Sequence, residues 1–165
     1  MRAAVKKGMA DYQAYMAGVR QKGEEALIWA RAHKKRIMVL AGRPYHIDAE
    51  IGHGIDQLAT SLDFAVVSED SVYHLARTPE VHVLNQWTYH ARLYRAAAFV
   101  ATQPDVEFVQ LVSFGCGVDA ITTDEARAIL ERAGKYYTQI KIDEIANLGA
   151  VKIRLRSLLG ALEMK

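Results

Sequence analysis

The chain has 165 residues, 51% of them hydrophobic, which is enough for one core without disulfide or metal staples. Lys and Arg number 21 against 19 Asp and Glu, a formal net charge of +2, so bulk electrostatics give no reason to expect a nucleic-acid or membrane surface. A single cysteine excludes an internal disulfide framework, and with no signal peptide and no apolar run near about 18 residues the expectation is a soluble, cytoplasmic protein.

Val5, Met9, Tyr12, Met16 and Val19 fall on one stripe of an α-helix, extended by Ala26, Leu27 and Trp29; the segment 1–34 therefore reads as a long helix packed on the rest. Tyr12, Tyr15 and Trp29 read as packing residues rather than stacking platforms. Gly8, Gly18 and Gly23 each weaken this helix by roughly 1 kcal/mol relative to alanine, so tertiary contacts must hold it. A chain opening on a helix rather than a strand also reads as one module of a larger multidomain polypeptide.

"RIMVLAGRPYH" supplies a short apolar run closed by Gly-Arg-Pro, the pattern of a strand buried on both faces, over 36–41. Ile47, Ile51, Ile55, Leu58 and Leu62 follow at helical spacing, with Asp48 as the expected cap. "FAVVSED" gives a second strand and its polar end, and "NQWTYHARLYRAAAFVAT" a helix. "VEFVQLVSF" and "YTQIKID" are two further strands. Between them "TTDEARAILERAG" reads as a helix capped by Thr122 or Thr123 and stopped by Gly134, and a last helix is expected over 148–162. Strands alternating with helices imply right-handed crossovers. The expected fold is α/β, a doubly wound, Rossmann-like or flavodoxin-like parallel sheet of about four strands in the order 2-1-3-4, forming a single domain over 1–165.

Ligands of such sheets bind outside the carboxyl ends of the strands. Four segments converge there: "GRPYH" (42–46), "SEDS" (68–71), "SFGCGVD" (113–119) and "KIDEIANLG" (141–149). Cys116 lies between Gly115 and Gly117, before a helix whose N-terminus would favour the thiolate. Two readings stand side by side, a functional thiolate and a small buried hydrophobe. As a nucleophile Cys116 needs a base such as His46 or His53 and an orienting carboxylate such as Asp119, yet no local signature of a cysteine hydrolase is present. As a ligand it needs cysteines from elsewhere, since one cannot hold an iron–sulfur cluster.

Arg43 suits a carboxylate or phosphate at the sheet edge, or Gly-Arg-Pro is simply a turn. No Walker A or dinucleotide fingerprint is present. His46 and His53, seven residues apart, are spaced too widely for the usual helical metal pair. Asp143, Glu144 and Asn147 line the same cleft or cap the last helix, and Lys152, Arg154 and Arg156 form an anion patch or a solvated face.

Taken together, "GRPYHIDAEIGHGI", "SFGCGVDAITTDEARAIL" and "YTQIKIDEIANLGAVKIRLRSLL" resemble the C-terminal region of the large activase-related proteins associated with 2-hydroxyacyl-CoA dehydratases, over about positions 36–160. Those proteins look like fusions of an ATP-hydrolysing iron–sulfur activase with segments similar to the dehydratase subunits. In the subunits, cysteines at strand ends hold a [4Fe-4S] cluster between domains. The resemblance implies that Cys116 is one cluster ligand, with Gly115 and Gly117 shaping its loop and Arg43, His46 and Asp119 behind it, tuning the cluster by hydrogen bonds. It implies ATP-driven, low-potential electron transfer, an acyl-CoA substrate, and further cysteines from preceding domains or a partner subunit. Complete cluster assembly and catalysis by this chain alone are not expected. The alternative is a non-catalytic interaction module, or one that binds a CoA-type anion through Arg43 and helix N-termini.

Overall fold

The computed structural model describes residues 1–48, 50–113, 117–142 and 148–164. In chain order the elements are α1 (Arg2–Ala32), β1 (Arg36–Ala41), a 3-10 turn (Pro44–Ile47), α2 (Ile55–Ser61) and β2 (Phe64–Ser68). The short α3 (Glu69–Val72) follows, then a second 3-10 turn (Tyr73–Leu75), α4 (Thr88–Ala101), β3 (Val106–Val112), α5 (Gly117–Arg132), β4 (Tyr137–Lys141) and α6 (Leu148–Glu163). The four strands pair in parallel in the order β2-β1-β3-β4, as expected from the alternation of strands and helices.

Side chains alternate across the pleat, so each strand feeds two cores. Ile37 and Val39 of β1 and Val106 and Phe108 of β3 pack against Leu27 and Ala30 of α1, Leu93 and Ala97 of α4 and Leu130 of α5. Met38 and Leu40, with Val109 and Leu111, face the other way, onto Ile55 and Ala59 of α2 and Leu155 and Leu158 of α6. In register, Val39 stands beside Val67 of β2 and Phe108 of β3.

Four local expectations are corrected. The stripe on α1 is not a packing stripe along its length: Val5, Met9 and Tyr12 are 61%, 56% and 53% exposed, and of the five residues only Met16 is buried. Geometry explains this, because a helix of 31 residues spans about 46 Å, whereas a six-residue strand spans about 20 Å. The helix expected from Ile47 begins only at Ile55, since His53 (φ 50°) and Gly54 (φ 74°) adopt left-handed backbone. Asp48 still caps a turn, accepting the N–H groups of Glu50 and Ile51 at 3.0 and 3.2 Å.

α5 starts at Gly117, so Thr122 and Thr123 are inside it, and their hydroxyls donate to the Val118 and Asp119 carbonyls at 2.7 and 2.6 Å. Gly134 (φ 69°) does end the α5 segment. The polar end of the second strand is in fact α3, signalled by Ser68 followed by two acids. Lys152, Arg154 and Arg156 are exposed, matching the solvated-face reading.

Gly23 has a positive role that helix propensity alone would miss. A Cβ there would lie 2.5 Å from the Ser71 carbonyl oxygen and 2.7 Å from its Cβ, so glycine lets α1 close on α3. At Gly18 an added Cβ meets nothing within 4 Å. Gly23→Ala is expected to lower the unfolding free energy by about 1–3 kcal/mol and Gly18→Ala to raise it by about 0.5–1 kcal/mol, read by urea denaturation. Equal effects would show that the α1–α3 contact is not tight.

Candidate functional site

The chain leaves β1 toward β2 on one side and returns to β3 on the other, so the loops after β1 and β3 diverge and open a crevice at the carboxyl edge. Gly42 begins the first loop, and a Cβ there would lie 2.4 Å from His46 Nδ1, which requires glycine. Pro44 then fixes the first residue of the 3-10 turn and folds His46 back. The Arg43 backbone N–H donates to His46 Nδ1 at 3.0 Å, so in the neutral ring the proton sits on Nε2, which donates to Ser113 Oγ at 2.7 Å. His46 is 1% exposed, and burial holds its pKa below the ordinary value; Asp119 opposes this and Arg43 reinforces it.

The second stitch across the crevice is ionic. Arg43 Nε and Nη2 both lie 2.9 Å from Oδ1 of Asp119, in the first turn of α5. The Arg43 side chain is 28% exposed and that of Asp119 8%, and the hydrogen bond to Asp119 raises the guanidinium pKa further. Among the described residues Asp119 Oδ2 is buried without a partner. The loop after β1 is thereby tied to Ser113 and Asp119, which stand three residues to either side of Cys116 in the sequence.

Arg43, His46 and Asp119 are thus brought together, and Gly117 (φ 50°) opens α5 beside them. Cys116 and Gly115 lie outside the described residues, as do Asp143, Glu144 and Asn147. Among the described residues the His46–Asp119 limb of a Cys–His–Asp relay is not formed, because the Asp119 carboxylate is held by Arg43 and His46 Nδ1 accepts a backbone N–H. His46 and His53 share no helical face, since each lies in a turn. Among the described residues no group of three His, Cys, Asp or Glu could hold a metal ion.

Two buried titratable residues, Glu69 and His90, are not distinguished in the sequence from the longer segments that carry them. Glu69, the first residue of α3, is 1% exposed, and burial pushes its pKa up to about 7, with Asp70 adding to the rise and Arg92 opposing it. Its carboxylate accepts Arg92 Nη2 at 3.1 Å. His90 is 4% exposed and also held neutral by burial. A signal existed for it: His90, Leu93, Tyr94 and Ala97 share one buried helical stripe, so the histidine interrupts an apolar face. Beside the crevice, a cavity of about 330 Å3 is lined by Leu40, His46, Asp48, Asp56, Thr60 and Ser68.

Fold and edge together define a doubly wound α/β protein with a switch-point crevice closed by an ion pair. Residues 1–72, from α1 through α3, match the family described as a CoA enzyme activase uncharacterised domain, consistent with the activase-related protein that the motifs resemble. The match includes the first of the three resembling motifs; the other two lie beyond it. Neither the curated proteins nor the solved structures give a significant match. Among the described residues no helix is long and apolar enough to cross a membrane.

The stitch predicts coupling between its partners. Arg43→Met, which leaves Asp119 buried without its cation, is expected to cost about 2–4 kcal/mol, and adding Asp119→Asn to recover at least about 1 kcal/mol. Strict additivity in the double-mutant cycle would sink the pairing. Glu69 gives a pH signature: its pKa rises from 4.5 to about 7 on folding, so its contribution is fully present below pH 4.5 and lost as pH rises to about 7. The stability of wild type minus that of Glu69→Gln should therefore fall across this window, by up to about 1.4 kcal/mol per pH unit. A pH-independent difference would remove Glu69 from the account.

Proposed function

We propose that this chain is a module of a CoA-enzyme-activase-type protein and forms one wall of a shared redox site. Cys116 gives one thiolate to a [4Fe-4S] cluster, and preceding domains or a partner subunit give the rest. The wider task is ATP-driven, low-potential electron transfer toward a 2-hydroxyacyl-CoA dehydratase. The observation that supports this reading is the double stitch from Arg43 and His46 to Asp119 and Ser113, which fixes both flanks of the segment bearing Cys116. A second support is position in sequence: Cys116 immediately precedes α5, and helix N-termini favour thiolate over thiol.

The fit of the cluster to this chain alone is poor. One cysteine, and no constellation of ligating side chains among the described residues, do not make a complete site. The role of the chain's own residues is accordingly to hold the loop, to keep the neutral His46 from competing for protons, and to balance charge through Arg43 and Asp119. The alternative, a CoA-type anion on Arg43, is less well supported, because Asp119 already occupies the guanidinium.

Anaerobic reconstitution with iron and sulfide, in the presence of the cysteine-bearing domains or subunits, tests the proposal. Cys116→Ser is expected to lose iron or to change the electron paramagnetic resonance spectrum. An identical cluster in wild type and variant would overturn the ligand assignment and favour an interaction module.

A further inference from the structure

β2 is an edge strand: in the order β2-β1-β3-β4 it pairs with β1 alone among the described residues, so its outer backbone groups face away from the sheet. Edges of this kind are normally guarded by a lysine, a proline or a bulge. "FAVVS" carries neither charge nor proline, and its ladder with β1 runs in unbroken register from Phe64 to Ser68. Such an edge is a template for another strand.

Hollows lie along this edge on both faces of the sheet. On the α1 side an open groove of about 620 Å3 separates Val66, Val67 and Ser68 from a helical wall that includes Ala14, Gly18 and Val19. Its lining is mostly apolar, and the one charged residue in it among the described residues, Lys22, is paired with Glu25 at 2.6 Å. On the α2 side the cavity of about 330 Å3 is bounded by the same three β2 residues together with Asp48, Asp56 and Thr60. Both carboxylates are exposed, and among the described residues no lysine or arginine lines this cavity.

Successive side chains of a strand point to opposite faces, so a strand laid on the β2 edge sends its side chains alternately into the groove and into the cavity. One hollow favours apolar groups and the other cations. We propose that the β2 edge binds an extended peptide segment alternating apolar and basic residues, its backbone pairing with β2, its apolar side chains against α1 and its lysines or arginines toward Asp48 and Asp56. This edge is two strands away from β3, whose end leads toward Cys116, so this reading and that of Cys116 can fail separately.

The probe is a capped heptapeptide alternating valine and lysine, titrated into the full chain and followed by amide nuclear magnetic resonance. Saturable shifts are expected over Phe64–Ser68, with slowed hydrogen exchange at the amides there that face outward. A peptide with glutamate for lysine should bind at least about tenfold more weakly, and so should one methylated at every amide, which keeps the side chains but removes the backbone donors. Asp48→Asn combined with Asp56→Asn should weaken the lysine peptide by about fivefold and erase its advantage over the glutamate peptide. Asparagine can still accept the N–H groups of Glu50 and Ile51, so the turn at 48 is kept. Gly18→Leu, at a position where an added Cβ meets nothing within 4 Å, should fill the groove and weaken the peptide by about tenfold with far-ultraviolet circular dichroism unchanged. Shifts absent from β2, equal affinity of the lysine and glutamate peptides, or undiminished binding of the methylated peptide would each overturn the proposal. So would a dimer of the peptide-free protein whose outward β2 amides exchange more slowly as concentration rises, which would assign the edge to a second copy.

Discussion

Everything in this molecule hangs on β1. From Ile37 to Ala41 every residue is buried, and the strand pairs in parallel with β2 on one side and β3 on the other. Such a strand has no solvent face, so both sides of the sheet must be covered, and the connections after β1 and β3 must leave in opposite directions. The crevice follows from that divergence. Its two stitches then close the gap where no strand-to-strand hydrogen bond is available.

The carboxyl edge is polar yet dry. His46, His90, Glu69 and Asp119 are each less than a tenth exposed, and the fold handles them in two ways. Both histidines are kept neutral by burial, whereas the acids are set against arginines, Asp119 on Arg43 and Glu69 on Arg92. A buried pair of this kind adds little net stability, because desolvation offsets most of the attraction. What it supplies is a fixed position for each loop, which a site at a strand end needs.

The stretch that matches the activase-related family ends at α3 and so holds Arg43 and His46 without their partners Ser113 and Asp119. It also holds β1 without β3, leaving one edge of the central strand unpaired. The geometry of the crevice thus belongs to both halves of the chain. At the other end, Arg31 reaches Asp105 at 2.8 and 3.2 Å and Gln103 at 2.8 Å, joining the C-terminal turn of α1 to the loop before β3. The first fourteen residues of α1, 2–15, are exposed throughout, beyond the reach of the sheet.

The sequence by itself determined the strands, their order and most helices, because a run such as "RIMVLA" between turn residues has one stable use, a strand buried on both faces. It also placed Arg43, His46 and Asp119 at the correct edge, since residues following buried strands converge there in any doubly wound sheet. Pairing was beyond it: that Asp119 answers Arg43 rather than a histidine depends on a 3-10 turn whose shape comes from Gly42 close against His46. Burial of Glu69 and His90 was decided only by tertiary packing, because a polar residue's exposure is set by what lies across from it. The same holds for α1, whose apolar stripe continues past the last residue of the sheet able to cover it; periodicity reports a face, and only the length of the facing layer decides how much of it is buried.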